Sequence, residues 1–153
     1  MDRSYFHRGS DEPLLGTTIH EQFRRVAADF PEREAVVSLP QDRRMTYREL
    51  AREVDRVALG LAELGFGSGD RVGVWSTNNI EWLLLQLATA RIGVVLVNIN
   101  PAYRTHELEY VLRESRSKVL LLVESFKHSN YLQMFYEVCP EAKTAKAGEI
   151  DSW

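Results

Sequence analysis

The sequence predicts an α/β fold, a doubly wound and mainly parallel sheet with flanking helices. Three observations lead there. From Ala88 to Leu112 a helical run ends at Gly93, an apolar strand follows at once, Asn100-Pro101 turns the chain, and Thr105 opens another helix. That succession is one repeat of a parallel α/β unit. Four strand-like runs alternate with helical segments along the chain. Crossovers of this length return a chain right-handedly to a parallel sheet.

Residues 1–16 are polar and irregular. The first ordered element starts at Thr18, where Thr18-Ile19-His20-Glu21 fits a capping box, and Ile19, Phe23, Val26 and Phe30 recur at helical spacing until Pro31. Ala35 to Leu39 reads as a short strand and Pro40-Gln41-Asp42 as a turn. A second capping box, Thr46-Tyr47-Arg48-Glu49, opens a helix whose stripe of Leu50, Val54, Val57, Leu61 and Leu64 stops at a left-handed Gly65. After Gly67-Ser68-Gly69-Asp70, Val72 to Trp75 forms a strand and Asn78 or Asn79 caps the next helix. In that helix Leu83, Leu84, Leu85, Leu87, Ala88 and Ile92 leave little polar face, so it must be covered on most sides.

Val94 to Ile99 and Val119 to Val123 lack alternation and read as interior strands buried on both faces. The helix between them spans Glu107 to Ser115, with Leu108, Val111 and Leu112 inward. A last helix, Asn130 to Val138, groups Tyr131, Met134, Phe135 and Val138 before Pro140 ends it. Three segments result: an irregular stretch over 1–16, an α/β subdomain over 17–140, and a linker or truncation point over 141–153.

At 153 residues the chain suits one domain with a real core. Its 44% hydrophobic and 27% charged residues predict a soluble globule rather than disorder. A net charge of −3 offers no basic surplus for covering phosphates, which weighs against nucleic acid as the main partner and leaves room for a local basic patch. The only cysteine, Cys139, allows no internal disulfide and implies a reducing compartment. Its residue type and place suit a small apolar side chain at a helix end. The first 30 residues carry no signal-peptide core, and the longest apolar segment, Trp82 to Val97, falls short of a transmembrane helix. A cytoplasmic location is expected.

Gly65-Phe66-Gly67-Ser68-Gly69 stands between a helix and a strand, the reverse of the dinucleotide fingerprint, and so reads as a tight connection. No Gly-x-x-x-x-Gly-Lys-Ser/Thr loop exists. His7, His20, His106 and His128 lie far apart, none at metal-ligand spacing, and His20 and His106 read as solvated surface groups. Ser38, Ser76 and Ser129 lack a nucleophile elbow. Arg24-Arg25 and Arg43-Arg44 read as surface charge. Trp75 with Ser76, Thr77 and Asn78, and Asn98, Ile99 and Asn100, sit at strand C-terminal ends, the edge where open α/β sheets bind ligands. Two readings stand for these groups: lining a ligand channel, or capping helices and making turns. Arg104 in the same loop either meets a phosphate or is solvated or paired with a carboxylate.

The wording of five stretches resembles the N-terminal portion of the AMP-forming acyl-CoA synthetases, and is most like the medium-chain and fatty-acyl members. These stretches are Thr18 to Pro31, Met45-Thr46-Tyr47-Arg48-Glu49-Leu50, Gly69-Asp70-Arg71-Val72-Gly73-Val74-Trp75, Asn79 to Ala90, and Ile92 through Leu112, with Val97-Asn98-Ile99-Asn100-Pro101-Ala102-Tyr103 inside the last. Together they cover most of Leu14 to Pro140, in the family's order.

The resemblance implies a parent ligase in which a fatty carboxylate, medium-chain by the members it is most like, attacks the α-phosphate of ATP with magnesium, and the CoA thiol then displaces AMP. It also implies that this segment is one subdomain of a larger adenylating lobe, with the remainder of that enzyme as its partner. The family's Ser/Thr/Gly-rich phosphate loop, magnesium-binding Glu, ribose-binding Asp and late catalytic Lys would all lie beyond Trp153. No catalytic, cofactor-binding or metal residue is therefore carried onto this chain, which is expected to be inactive alone, to bind no ATP, magnesium or CoA tightly, and to expose apolar surface meant for a neighbour. The alternatives are a stand-alone flavodoxin-like nucleotide-binding module and a protein-interaction module.

Overall fold

Both capping boxes form. Thr18 Oγ1 accepts from the Glu21 N–H at 3.1 Å while Glu21 accepts from the Thr18 N–H at 2.8 Å, and this opens helix α1 (Ile19–Asp29). Thr46 and Glu49 do the same for α2 (Tyr47–Glu63). Each pair satisfies donors that the first helical turn leaves orphaned. Each also holds its glutamate below the usual carboxylate range, through hydrogen bonds from the threonine N–H and hydroxyl. The computed structural model describes residues 15–146 and 150; most of the segment expected to be irregular, and the end of the 141–153 stretch, lie outside the described residues.

Strand β1 (Glu34–Ser38) turns at Leu39 to Asp42 and pairs antiparallel with β2 (Arg43–Thr46). The first expected strand therefore belongs to a hairpin and not to the parallel sheet. Four residues of connection are far too few for a parallel crossover. The partner strand went unseen because Arg43-Arg44-Met45-Thr46 carries two charges in four residues.

The parallel sheet has three strands, in the order β4 (Val95–Ile99), β3 (Arg71–Trp75), β5 (Val119–Leu122). Its register aligns Val72 with Leu96 and Val119, and Val74 with Asn98 and Leu121. Helix α3 (Ile80–Ile92) joins β3 to β4, and α4 (Thr105–Ser115) carries the chain back across to β5. A small hairpin, β6 (Ser125–Phe126) and β7 (Ser129–Asn130), leads into α5 (Tyr131–Val138) and a 3₁₀ turn at Pro140–Lys143. The predicted stops also hold: Gly65 and Gly93 adopt φ of +87° and +73°, and Asn79 caps α3 by accepting the Trp82 N–H at 2.7 Å.

Alternate residues of β3 serve opposite faces. Val72 and Val74 join Leu50, Val54, Ala58 and Leu61 of α2 and Ile80, Leu84, Leu85 and Ala88 of α3 in one buried cluster. Trp75 joins Ile99, Leu108, Leu112, Tyr131, Phe135 and Cys139 in the other, beneath α4 and α5. Helices on both faces of a parallel sheet are the doubly wound architecture that the sequence predicts.

One expectation fails in detail. Only β3 is interior among the described residues; β4 and β5 are edges, with Val95 46% and Leu121 40% exposed. The absence of alternation in these runs reflects apolar contacts on both faces, since Leu96 and Val119 join the first cluster and Val97, Leu120 and Leu122 the second. Their outer flanks are open. Helix α1 is likewise half-covered: Phe23 packs on the first cluster, while Ile19 is 60% exposed.

Candidate functional site

The chain leaves β3 for α3 on one face of the sheet and leaves β5 for α5 on the other. Between the carboxyl ends of these neighbouring strands lies the topological switch point, where open α/β sheets form ligand crevices. A groove of about 570 Å³ opens there on the α2–α3 face. Its floor is Val74 and Leu121, its wall Trp82, Leu84 and Leu85 of α3, and Val57 of α2 closes one end. It exists because α2 and α3 cover β3 and β4 but leave Leu121 of β5 bare.

The mouth of the groove is polar, with Gln41, Ser76, Asn79 and Glu81. Gln41 reaches over from the β1–β2 turn, and its Oε1 accepts from the Ile80 N–H and the Ser38 hydroxyl, both at 2.9 Å. Its Nε2 donates to Glu81 at 2.6 Å, and Arg43 donates to the same carboxylate at 2.8 Å. Burial pushes the Glu81 carboxyl up, but the donors from Gln41, its own backbone and Arg43 outweigh that and hold it below its ordinary value. Ser76 donates to the Thr77 carbonyl at 2.8 Å and accepts from Asn79 at 2.9 Å. The mouth is thus a fixed hydrogen-bonded rim around the N-terminus of α3.

Of the groups singled out at the strand ends, Ser76 lines this groove and the others do not; Asn79, expected only as a cap, lines it as well. Trp75 is wholly buried on the opposite face, where its Nε1–H donates to the Asn100 carbonyl at 3.0 Å and its indole stacks on Tyr131 at 4.3 Å between centroids. The Tyr131 hydroxyl donates to the Pro101 carbonyl at 2.9 Å, so two aromatic side chains pin the loop after β4. Asn100 accepts from the Ala102 N–H at 2.9 Å in an Asx turn. Arg104 donates to the Ser129 hydroxyl at 3.0 Å, and its N–H to Glu107, which ties that loop to β7 and starts α4. Turn-making and capping describe Asn100 and Arg104 here. Gln41, Glu81 and Leu121 were not expected at the site.

Elsewhere the sequence reading needs one correction. His20 is not a solvated surface group: it is half-buried, and its Nδ1 is shielded from solvent with no hydrogen-bond partner among the described residues. Burial, with the Arg91 and Arg24 guanidiniums, pushes its pKa below the ordinary imidazole value, against a smaller upward pull from Glu21. His106 and His128 are exposed, and His7 lies outside the described residues. Cys139 is buried at the end of α5, where desolvation raises its thiol pKa and suits an apolar packing role. Among the described residues no group of three His, Cys, Asp or Glu converges. Nor is any described helix long and apolar enough to cross a membrane.

Comparison with known proteins places this geometry. A family model described as "AMP-binding enzyme" matches residues 23–151. The mouse protein "Medium-chain acyl-CoA ligase ACSF2, mitochondrial" is 42% identical over 149 residues, 97% of this chain and 24% of the relative. A putative acyl-CoA synthetase, YngI, of Bacillus subtilis (strain 168) is 37% identical over 139 residues, 91% of this chain and 25% of the relative. Among solved structures, the N-terminal domain of FACL13 from Mycobacterium tuberculosis superposes with a TM-score of 0.66 at 33% identity, covering 69% of this chain and 26% of that one. The anthranilate CoA ligase AuaEII in complex with anthranoyl-AMP gives 0.70 at 26% identity, covering 84% and 23%. The chain spans about a quarter of the length of the curated relatives it matches.

Proposed function

We propose that this chain, which belongs to the AMP-binding enzyme family, forms an α/β wall in the N-terminal lobe of an AMP-forming acid–thiol ligase. The parent activates a medium-chain fatty acid with ATP and magnesium to an acyl-adenylate and passes the acyl group to CoA. Residues 17–140 are the structural unit, and 141–153 are a linker or a truncation point. The chain contributes no catalytic, nucleotide-binding or metal-binding residue. In such a reaction the leaving pyrophosphate is offset by amides, a cation and a metal, and no residue of this chain is assigned to those tasks.

The observation that carries the reading is the open flank of the sheet. β5 has the apolar composition of a covered strand, yet Leu121 is 40% exposed over a 570 Å³ groove. Apolar surface of this kind marks a docking face. The acyl-CoA ligase relatives, four times longer, supply the rest of such a lobe.

The chain mixed with ATP, magnesium, CoA and octanoate is expected to release no AMP above the enzyme-free rate, read by chromatography. Turnover by the chain alone would overturn its assignment as a wall. Titration with ATP, AMP and FMN is expected to show no tight binding; a saturable response below about 10 μM would support a self-sufficient nucleotide-binding module instead. A cytoplasmic location belongs to the same proposal and rests on the single unpaired cysteine. Recovery of the parent in the mitochondrial fraction of expressing cells, as the name of the mouse relative indicates for that protein, would overturn it.

A further inference from the structure

A second cavity, of about 510 Å³, lies between α1, α2 and α3, on the helix layer and beside the last turn of α3 rather than at the carboxyl edge of the sheet. Four arginines line it, Arg24, Arg48, Arg52 and Arg91, against one carboxylate, Asp55. This concentration of positive charge occurs in a chain whose net charge is −3. Two of the four are engaged: Arg91 pairs with Asp55 across α2 and α3, and Arg48 pairs with Glu32. Arg24 and Arg52 make no ion pair within 4.0 Å among the described residues, although Arg52 stands near Glu49 and Glu53 on its outer side.

Phe23, Ala27 and Pro31 give the cavity apolar walls, while the Arg24 and Arg52 side chains at its rim are exposed. His20 borders the same space, and its solvent-shielded Nδ1 lacks a partner. A buried polar atom without a hydrogen bond is uncommon and calls for an occupant or a proton acceptor. A planar guanidinium matches two oxygens of a phosphate at once, and several together recognise a polyanion rather than a single carboxylate.

We infer that this three-helix cavity binds a phosphorylated small molecule, held by Arg24 and Arg52 beside His20. The site is separate from the groove at the sheet edge and uses none of its residues. His20 reports on occupancy. The charged groups around it are Arg24 and Glu21 on α1, Arg48, Arg52 and Asp55 on α2, and Arg91 on α3. A bound anion offsets the cations and stabilises the imidazolium, so the His20 pKa rises toward its ordinary value.

The test is an NMR titration of the chain with pyrophosphate, following the His20 ring across pH. A saturable shift with half-saturation between about 10 μM and 10 mM, with an upward move of the His20 midpoint, is the expected result. The exposed pair Arg24→Gln and Arg52→Gln, shown by circular dichroism to keep the native spectrum, should weaken binding by about tenfold or more. Because R24Q also removes a cation that depresses the His20 pKa, affinity and not the midpoint is compared between the two proteins. An unresponsive His20, equal affinity in the double variant, or acetate binding as tightly as pyrophosphate at matched ionic strength would each overturn the inference.

Discussion

Replacing Trp75 by alanine is expected to cost about 3–5 kcal/mol of folding free energy, the usual range for truncating a fully buried aromatic. The side chain is 0% exposed and sits on the face of β3 that α4 and α5 cover. Truncation empties the centre of that cluster, removes the stack on Tyr131, and deprives the Asn100 carbonyl of its donor. Urea unfolding followed by circular dichroism measures the loss. Trp75→Phe separates the contributions, because it keeps a ring against Tyr131 but not the N–H, and should cost roughly 1–3 kcal/mol. A loss below about 1 kcal/mol for the alanine variant would mean that Trp75 is not the keystone of this cluster.

Gly93→Val is expected to destabilise the chain by about 2–4 kcal/mol. Gly93 ends α3 at φ +73°, a backbone region that β-branched residues avoid. An added Cβ would also stand 3.0 Å from Ser68 Oγ and 3.4 Å from Ser68 Cα. The loop cannot simply retreat, because the Gly69 N–H donates to the Gly93 carbonyl at 2.9 Å and the Val95 N–H to the Asp70 carbonyl at 2.7 Å. Gly93→Ala combined with Ser68→Gly tests the two causes separately. Removing the serine side chain relieves the contact but not the left-handed backbone, so it should restore only part of the stability lost by Gly93→Ala. Full restoration would make the contact the whole cause, and a neutral Gly93→Ala would contradict both.

What the sequence disclosed and what it hid divide along the range of the interactions. Thr18, Thr46, Asn79, Gly65 and Gly93 were legible because a cap or a left-handed stop is decided within a few residues. The family was legible through five ordered stretches, most of them at these same junctions. The β1–β2 hairpin was not, because its second strand is defined by its partner more than by its own polar composition. The edge positions of β4 and β5 were hidden for a related reason: a strand's run of apolar residues records contacts above and below it, and says nothing of who lies beside it. Gln41 meets the start of α3 across 39 residues of sequence, and His20 owes its altered environment to burial and, after that, to Arg91 on a distant helix. No local pattern announces either.

The unpaired outer flank of β5 has a practical consequence. Along it run backbone donors and acceptors with no neighbouring strand among the described residues, next to apolar side chains, which is the template by which proteins recruit extended segments of other chains. In isolation such a molecule is colloidally fragile. Light scattering is expected to rise with protein concentration, and Leu121→Lys, which touches neither buried cluster, is expected to lower it.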